Sequence, residues 1–154
     1  MNWLLEGKEV LSIDQFNTGA IGFVYKITNT KTGKFYIGKK SLESKTNKLL
    51  TKKEQSEWSK PGRIPKKKLV VKESDWQNYY GSSKTLLEDI KQSSKSDFIR
   101  EILRVCYSKK ELSYYETYFQ FEYKVLHVES FNDNILGKFY RKDTQSVIPS
   151  APDA

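Results

Sequence analysis

Glu116 is the side chain whose type and position most call for chemistry. At 100° per residue, Leu112, Phe119, Tyr123 and Leu126 fall on one helical stripe with Tyr115 at its edge, and Glu116 lies inside that stripe. Burying an unpaired carboxylate costs several kcal/mol, so such a group needs a partner or a metal. The pattern leaves two readings open: a metal ligand, or a structural carboxylate held by an ion pair or a tyrosine hydrogen bond. Other candidates are weaker. His127 is the single histidine, so neither a Ser/His triad nor a His-rich metal site can be built, and it reads as a helix-end residue favoured by the dipole. Cys106 is the single cysteine, which excludes an internal disulfide or a Cys-based zinc site; it reads as a small buried hydrophobe after a strand. No Gly-rich phosphate loop is present.

Several elements must position that carboxylate. Ser108-Lys109-Lys110-Glu111 has the form of a capping box and opens a helix expected to reach about Leu126. Ile21–Ile27 is β-branched and aromatic and reads as a buried strand. Asn29-Thr30-Lys31-Thr32-Gly33 supplies turn chemistry, and Phe35-Tyr36-Ile37-Gly38 returns as a second strand, making a hairpin. Ser82 or Ser83 can cap a helix over Leu86, Leu87 and Ile90, and Phe98–Val105 reads as a third strand. Residues 1–20 read as an N-terminal extension, 21–140 as the domain proper and 141–154 as a flexible tail. Within the domain, residues 43–75 are rich in lysine and broken by Pro61-Gly62 and Pro65, which predicts a long, mobile, basic insertion.

Composition bounds the answer. A length of 154 residues with 37% hydrophobic and 14% aromatic content suits one domain with a ring-filled core. No apolar run can span a bilayer and no secretory leader is visible, so a cytoplasmic protein is expected. A net charge of +8 and a pI near 9.4 suit a polyanion, because lysine and arginine at phosphates release counterions.

The strand pair and the helix together resemble the GIY-YIG nucleases. Phe23-Val24-Tyr25 and Tyr36-Ile37-Gly38 match the paired signature. Trp76–Lys84, Phe98–Leu103, Glu111–Tyr123 and Phe131-Asn132 resemble the phage Seg-type, homing-endonuclease-like branch. The resemblance implies an α+β fold, a small antiparallel sheet of about three strands flanked by helices. It implies DNA endonuclease activity on double-stranded DNA with Mg²⁺ or Mn²⁺. Carried over by position, Tyr25 and Tyr36 project into the site and one of them positions or deprotonates the attacking water. Glu116 binds the cation, Asn132 organises the site, and Gly38 keeps the strand end clear for the phosphate. A single carboxylate with waters and phosphate oxygens is a natural Mg²⁺ shell. A tyrosine base needs nearby positive charge, and Lys26, Lys39 and Lys40 are close in sequence.

The chain departs from the family pattern in three places. Phe23 replaces the first glycine. The family's arginine is missing soon after Tyr36-Ile37-Gly38, where only Lys45 and Lys48 stand, so Arg63 is its expected counterpart. Tyr80 is assigned to the family's histidine or additional tyrosine. Lys39, Lys40, Lys66, Lys67 and Lys68 are the expected DNA-binding lysines. The alternative readings are an inactive GIY-YIG-fold DNA-binding or inhibitor module, and a basic RNA-binding protein. One small site cuts one strand, so double-strand cutting would call for a homodimer.

Overall fold

The computed structural model describes residues 1–144, and the chain forms two compact units, one from Met1–Leu42 with Asp75 onward, the other from Glu43–Ser74. In chain order the first unit contributes β1 (Trp3–Leu5), β2 (Lys8–Val10), β3 (Gly22–Asn29) and β4 (Phe35–Ser41). The second unit contributes β5 (Glu43–Leu49), α1 (Lys52–Ser56) and β6 (Lys67–Glu73). The first resumes with α2 (Lys84–Gln92), β7 (Phe98–Cys106), α3 (Lys109–Glu122), β8 (Asn134–Ile135), β9 (Phe139–Tyr140) and α4 (Arg141–Thr144). Among the described residues no helix is long and apolar enough to cross a membrane. The predicted tail is helical over Arg141–Thr144, and the rest of it lies outside the described residues.

The architecture is α+β, but the sheet has five strands rather than three, in the order β2-β1-β7-β3-β4. The three expected strands form the antiparallel set β7-β3-β4, and β1 adds to it parallel to β7, with Trp3 opposite Arg100. The stretch read as an extension is therefore part of the sheet. Its strands are three residues each, too short to show a period, but Glu6 and Gly7 turn the chain at φ 51 and 81 and bury Trp3 to 1% exposure. The Trp3 indole N–H donates to the Trp76 carbonyl at 2.6 Å.

β3 is buried on both faces over Phe23-Val24-Tyr25, where its sequence is continuously apolar. Phe23, Tyr25 and Ile27 point to one face, against Trp3, Trp76 and Leu86 of α2. Val24 points to the other, with Ile37, Cys106 and Leu112 of α3. The hairpin turn is as expected: Gly33 takes φ 78, and the Asn29 side chain accepts from the Lys31 N–H at 2.9 Å. Ser83, not Ser82, caps α2. Ser108 caps α3, while Glu111 turns to Arg104 at 3.7 Å instead of closing the box. α3 stops at Glu122 rather than near Leu126, because Lys124 takes φ 53 and turns the chain. His127 thus lies past the helix end, exposed. Cys106 is buried as expected, and burial pushes its thiol up to about 11.

The second unit, expected as a mobile insertion, carries regular secondary structure. β5 and β6 form a continuous antiparallel ladder from Glu43 opposite Glu73 to Leu49 opposite Lys67. Thr51 and Glu54 cap α1 reciprocally, and Glu54 pairs with Lys68. The strands were hidden in the sequence because lysines occupy both faces and erase the alternation that marks a half-buried strand.

Candidate active site at the free edge of the sheet

β4 ends the sheet, so one set of its backbone groups has no neighbouring strand. Buried polar backbone must be met somehow, and here the loop backbone at Phe131 and side chains beside it take the place of the missing strand. The Phe131 N–H donates to the Phe35 carbonyl at 2.7 Å. The Asn132 carboxamide accepts from the Ile37 N–H at 3.0 Å and donates to the Ile37 carbonyl at 2.9 Å. Gln120 of α3 donates to the same carbonyl at 3.2 Å. One turn earlier on α3, the Glu116 carboxylate stands 4.0 Å from the Lys39 ammonium. Arg141 fixes the loop behind Asn132, donating to the carbonyls of Val125 at 2.6 Å, Val128 at 2.9 Å and Asn132 at 3.0 Å.

Beyond this edge opens a cleft of about 240 Å³ whose lining includes Tyr36, Glu116, Gln120, Asn132, Asp133 and Asn134. The structure thus brings Tyr36, Glu116 and Asn132 together, as the sequence reading expected. Gln120 and Asp133 were missed. Gln120 follows Glu116 by one helical turn, so the same stripe could have shown it, whereas nothing in the sequence marks Asp133.

Tyr25 joins them from within. Tyr25 lies directly across from Gly38 in the β3–β4 register, and Tyr36 is two residues before Gly38, so both rings occupy the same face. Their centroids are 6.1 Å apart. A β-carbon at Gly38 would lie 2.5 Å from the Tyr25 hydroxyl and 2.9 Å from Cε2 of Tyr36, so the glycine makes the room the two rings use. Gly81, at φ 93, closes the other side, where a β-carbon would sit 3.4 Å from the same hydroxyl. The Tyr36 hydroxyl reaches the Ser82 hydroxyl at 3.3 Å.

Burial, rather than the neighbouring lysines, dominates the surroundings of the two tyrosines. Burial pushes Tyr25 well above its ordinary value, with Tyr36, Tyr79 and Glu116 adding to the rise. Burial and Glu116 raise Tyr36 as well, against a hydrogen bond from Ser82 that lowers it. The lysines are engaged elsewhere. Lys26 stands over Phe35 and Tyr123, and Lys40 pairs with Asp75 at 2.6 Å over the Tyr79 ring. Lys39 reaches Ser113 at 3.0 Å and Glu116 at 4.0 Å. Burial raises Glu116 too, with Lys39 pulling it back.

Tyr80 does not join the tyrosine cluster. Its hydroxyl meets the Met1 carbonyl at 3.4 Å and its ring lies under the Arg100 guanidinium at 4.1 Å. Tyr79 takes the place expected of it, its ring edge-on to Tyr25 with centroids 6.0 Å apart. Two adjacent tyrosines give a sequence reader no means to choose. Arg63, Lys66, Lys67 and Lys68 belong to the second unit, where Arg63 is exposed.

Among the described residues no group of three His, Cys, Asp or Glu side chains gathers to hold a metal. The cleft nevertheless offers hard oxygen donors on Glu116 and Asp133, and burial makes the Glu116 charge costly unless a cation answers it. That donor set fits a strongly hydrated divalent ion. Against known proteins, the family model described as "Putative endonuclease segE, GIY-YIG domain" matches residues 3–143. The match starts at Trp3, so the two added strands lie within the matched region. No curated protein and no solved structure matches the chain.

Proposed function

Because the chain belongs to the Seg-type GIY-YIG endonuclease family, we propose that it hydrolyses phosphodiester bonds of double-stranded DNA at the cleft beside β4. The observation that supports this most is the convergence of Tyr36, Glu116 and Asn132 on one cleft from three separate elements. Glu116, with Asp133 at the rim, is the residue we assign to a Mg²⁺ or Mn²⁺ ion. When bound, such an ion neutralises charge developing on the phosphate and acidifies a bound water.

The chain's own residues do the positioning. With their pKa values raised, Tyr25 and Tyr36 keep their protons at neutral pH, so their hydroxyls serve as hydrogen-bonding groups and not as bases. Tyr36, half-buried at the cleft, orients the attacking water; Tyr25, fully buried, fixes Tyr36 and Gly38. Lys39, with its ammonium beside Glu116, offers positive charge to a phosphate oxygen, and Asn132 holds the strand edge on which all of this depends. One cleft cuts one strand, so a double-strand break would require two copies.

Purified protein should nick supercoiled plasmid with Mg²⁺ or Mn²⁺ and fail in EDTA, and Glu116→Gln should bind DNA without nicking it. Wild-type protein that binds DNA but never nicks it would return the inactive-module reading. A Glu116→Gln variant that cuts normally would remove the carboxylate from the site.

A further inference from the structure

We propose that the β5–β6 ribbon is a sequence-reading element that enters the major groove of DNA, with Asn47 at the centre of its reading face. The inference rests on the nuclease reading above for its choice of polymer, but its observations belong to the second unit alone.

The register of the ladder sorts the side chains. Lys45 faces Val71, Asn47 faces Leu69, and Leu49 faces Lys67, so these six share one side of the ribbon. All six are exposed, with Leu49 at 71%, Leu69 at 60% and Val71 at 47%. The opposite side holds Ser44, Lys68 and Val70, which are partly buried, and α1 is tied to it through the Glu54–Lys68 pair. One side of the ribbon is therefore anchored and the other presents an apolar patch with an amide at its centre and ammonium groups at opposite corners.

An exposed apolar patch on a short ribbon is costly in water and marks a contact surface. Charge chooses the partner. Residues 43–74 contain ten lysines and arginines against four glutamates, so they supply six of the net eight positive charges of the chain. A polyanion is the complementary surface. A two-stranded ribbon fits the major groove, and the side-chain types fit the base edges there. Asn pairs with the N6 and N7 of adenine, apolar groups contact the thymine methyl, and lysine reaches guanine or the flanking phosphates. From residue 45 to residue 49 the face spans about 13 Å at about 3.3 Å per residue, on the order of four base pairs.

The test is selection of bound duplexes from a randomised pool by the full-length Glu116→Gln chain, repeated with Asn47→Ala and with Leu69→Ser added to the same background. The parent should enrich a preference of about four adjacent base pairs containing adenine or thymine. Asn47→Ala should relax one position about tenfold to a hundredfold while general affinity and its salt slope stay within about twofold. Both substituted residues are exposed, and a thermal melt matching the parent's checks the fold. No preference in the parent, or an identical preference in the variants, overturns the proposal. Plasmid nicking by the wild-type chain is scored separately. Nicking without ribbon-dependent preference refutes the reading face alone, and preference without nicking refutes the nuclease reading alone.

Discussion

Gly38→Ala tests the site through a single methyl group. The new β-carbon would lie 2.5 Å from the Tyr25 hydroxyl oxygen, 2.7 Å from its Cζ and 2.9 Å from Cε2 of Tyr36, where ordinary contact begins at 3.4 Å. The Tyr25 ring would have to withdraw by about 0.9 Å and the Tyr36 ring by about 0.5 Å, against the stiffness of packed interiors. Tyr25 has nowhere to go, being 1% exposed and flanked by Gly81. Overpacking of this kind costs about 1–3 kcal/mol, offset by about 0.4–1 kcal/mol from the less flexible unfolded chain. The net loss of about 1–2 kcal/mol should lower Tm by about 2–8 °C in a protein of this size. Activity should suffer more than stability, since a displacement of about 1 Å in a catalytic group can cost on the order of a hundredfold.

Gly33→Ala is the control. Gly33 has φ 78, but a β-carbon there would meet nothing within 4 Å. That variant should lose a comparable 1–2 kcal/mol, roughly, from left-handed backbone strain alone, and should nick plasmid normally. Both variants are compared by thermal melt and by single-turnover nicking well below Tm. If Gly38→Ala nicks as fast as Gly33→Ala at equal stability, the close approach at Gly38 has no part in the site.

The other expectations concern charge and hydroxyls. Burial raises Glu116, so the folded chain holds a proton that the unfolded chain releases; wild-type stability should fall as pH climbs from the ordinary carboxylate range to the folded value, and Glu116→Gln should erase that slope in pH-dependent melts. Tyr36→Phe should slow nicking about a hundredfold with an unchanged pH–rate profile; a displaced basic limb would show the hydroxyl to be the base after all. Neutralising Lys66, Lys67 and Lys68 together should flatten the slope of log K against log salt by about 2–3, and an unchanged slope would detach them from DNA.

How much of this was legible depended on whether a side chain's task leaves a period. β3 and β4 announced themselves because β-branched and aromatic residues flank a turn that needs Gly33. Glu116 was visible because a carboxylate inside an apolar stripe is an anomaly. β1 and β2 were not visible, since three residues cannot display alternation, and their place in the sheet is fixed by contacts of Trp3 with residues more than seventy positions away. The ribbon was missed because lysines occupy both of its faces. The choice between Tyr79 and Tyr80 depended on Arg100, which is 3% exposed and bonds the carbonyls of Gln77 and Tyr79 at 2.9 and 2.8 Å. A buried arginine satisfied by backbone carbonyls has no acidic partner to reveal it in a sequence.

The two readings that the helix stripe left open for Glu116 are not exclusive. Its carboxylate pairs with the Lys39 ammonium at 4.0 Å, which is structural work that ties α3 to the edge strand. A carboxylate has about four lone-pair sites, so one such ion pair leaves capacity facing the cleft. The same economy holds along β4, where Asn132 and Gln120 bond Ile37 and also line the cleft. A strand in that position would satisfy the backbone equally well but would present no side-chain oxygens in its place. The open edge is therefore what allows a small sheet to carry a site. It also decides which variant is informative: Glu116→Ala would empty the space beside the cleft along with the charge, whereas Glu116→Gln keeps the shape and a side-chain oxygen and removes only the charge. Loss of nicking in the glutamine variant, with its melt intact, is then attributable to the carboxylate's charge.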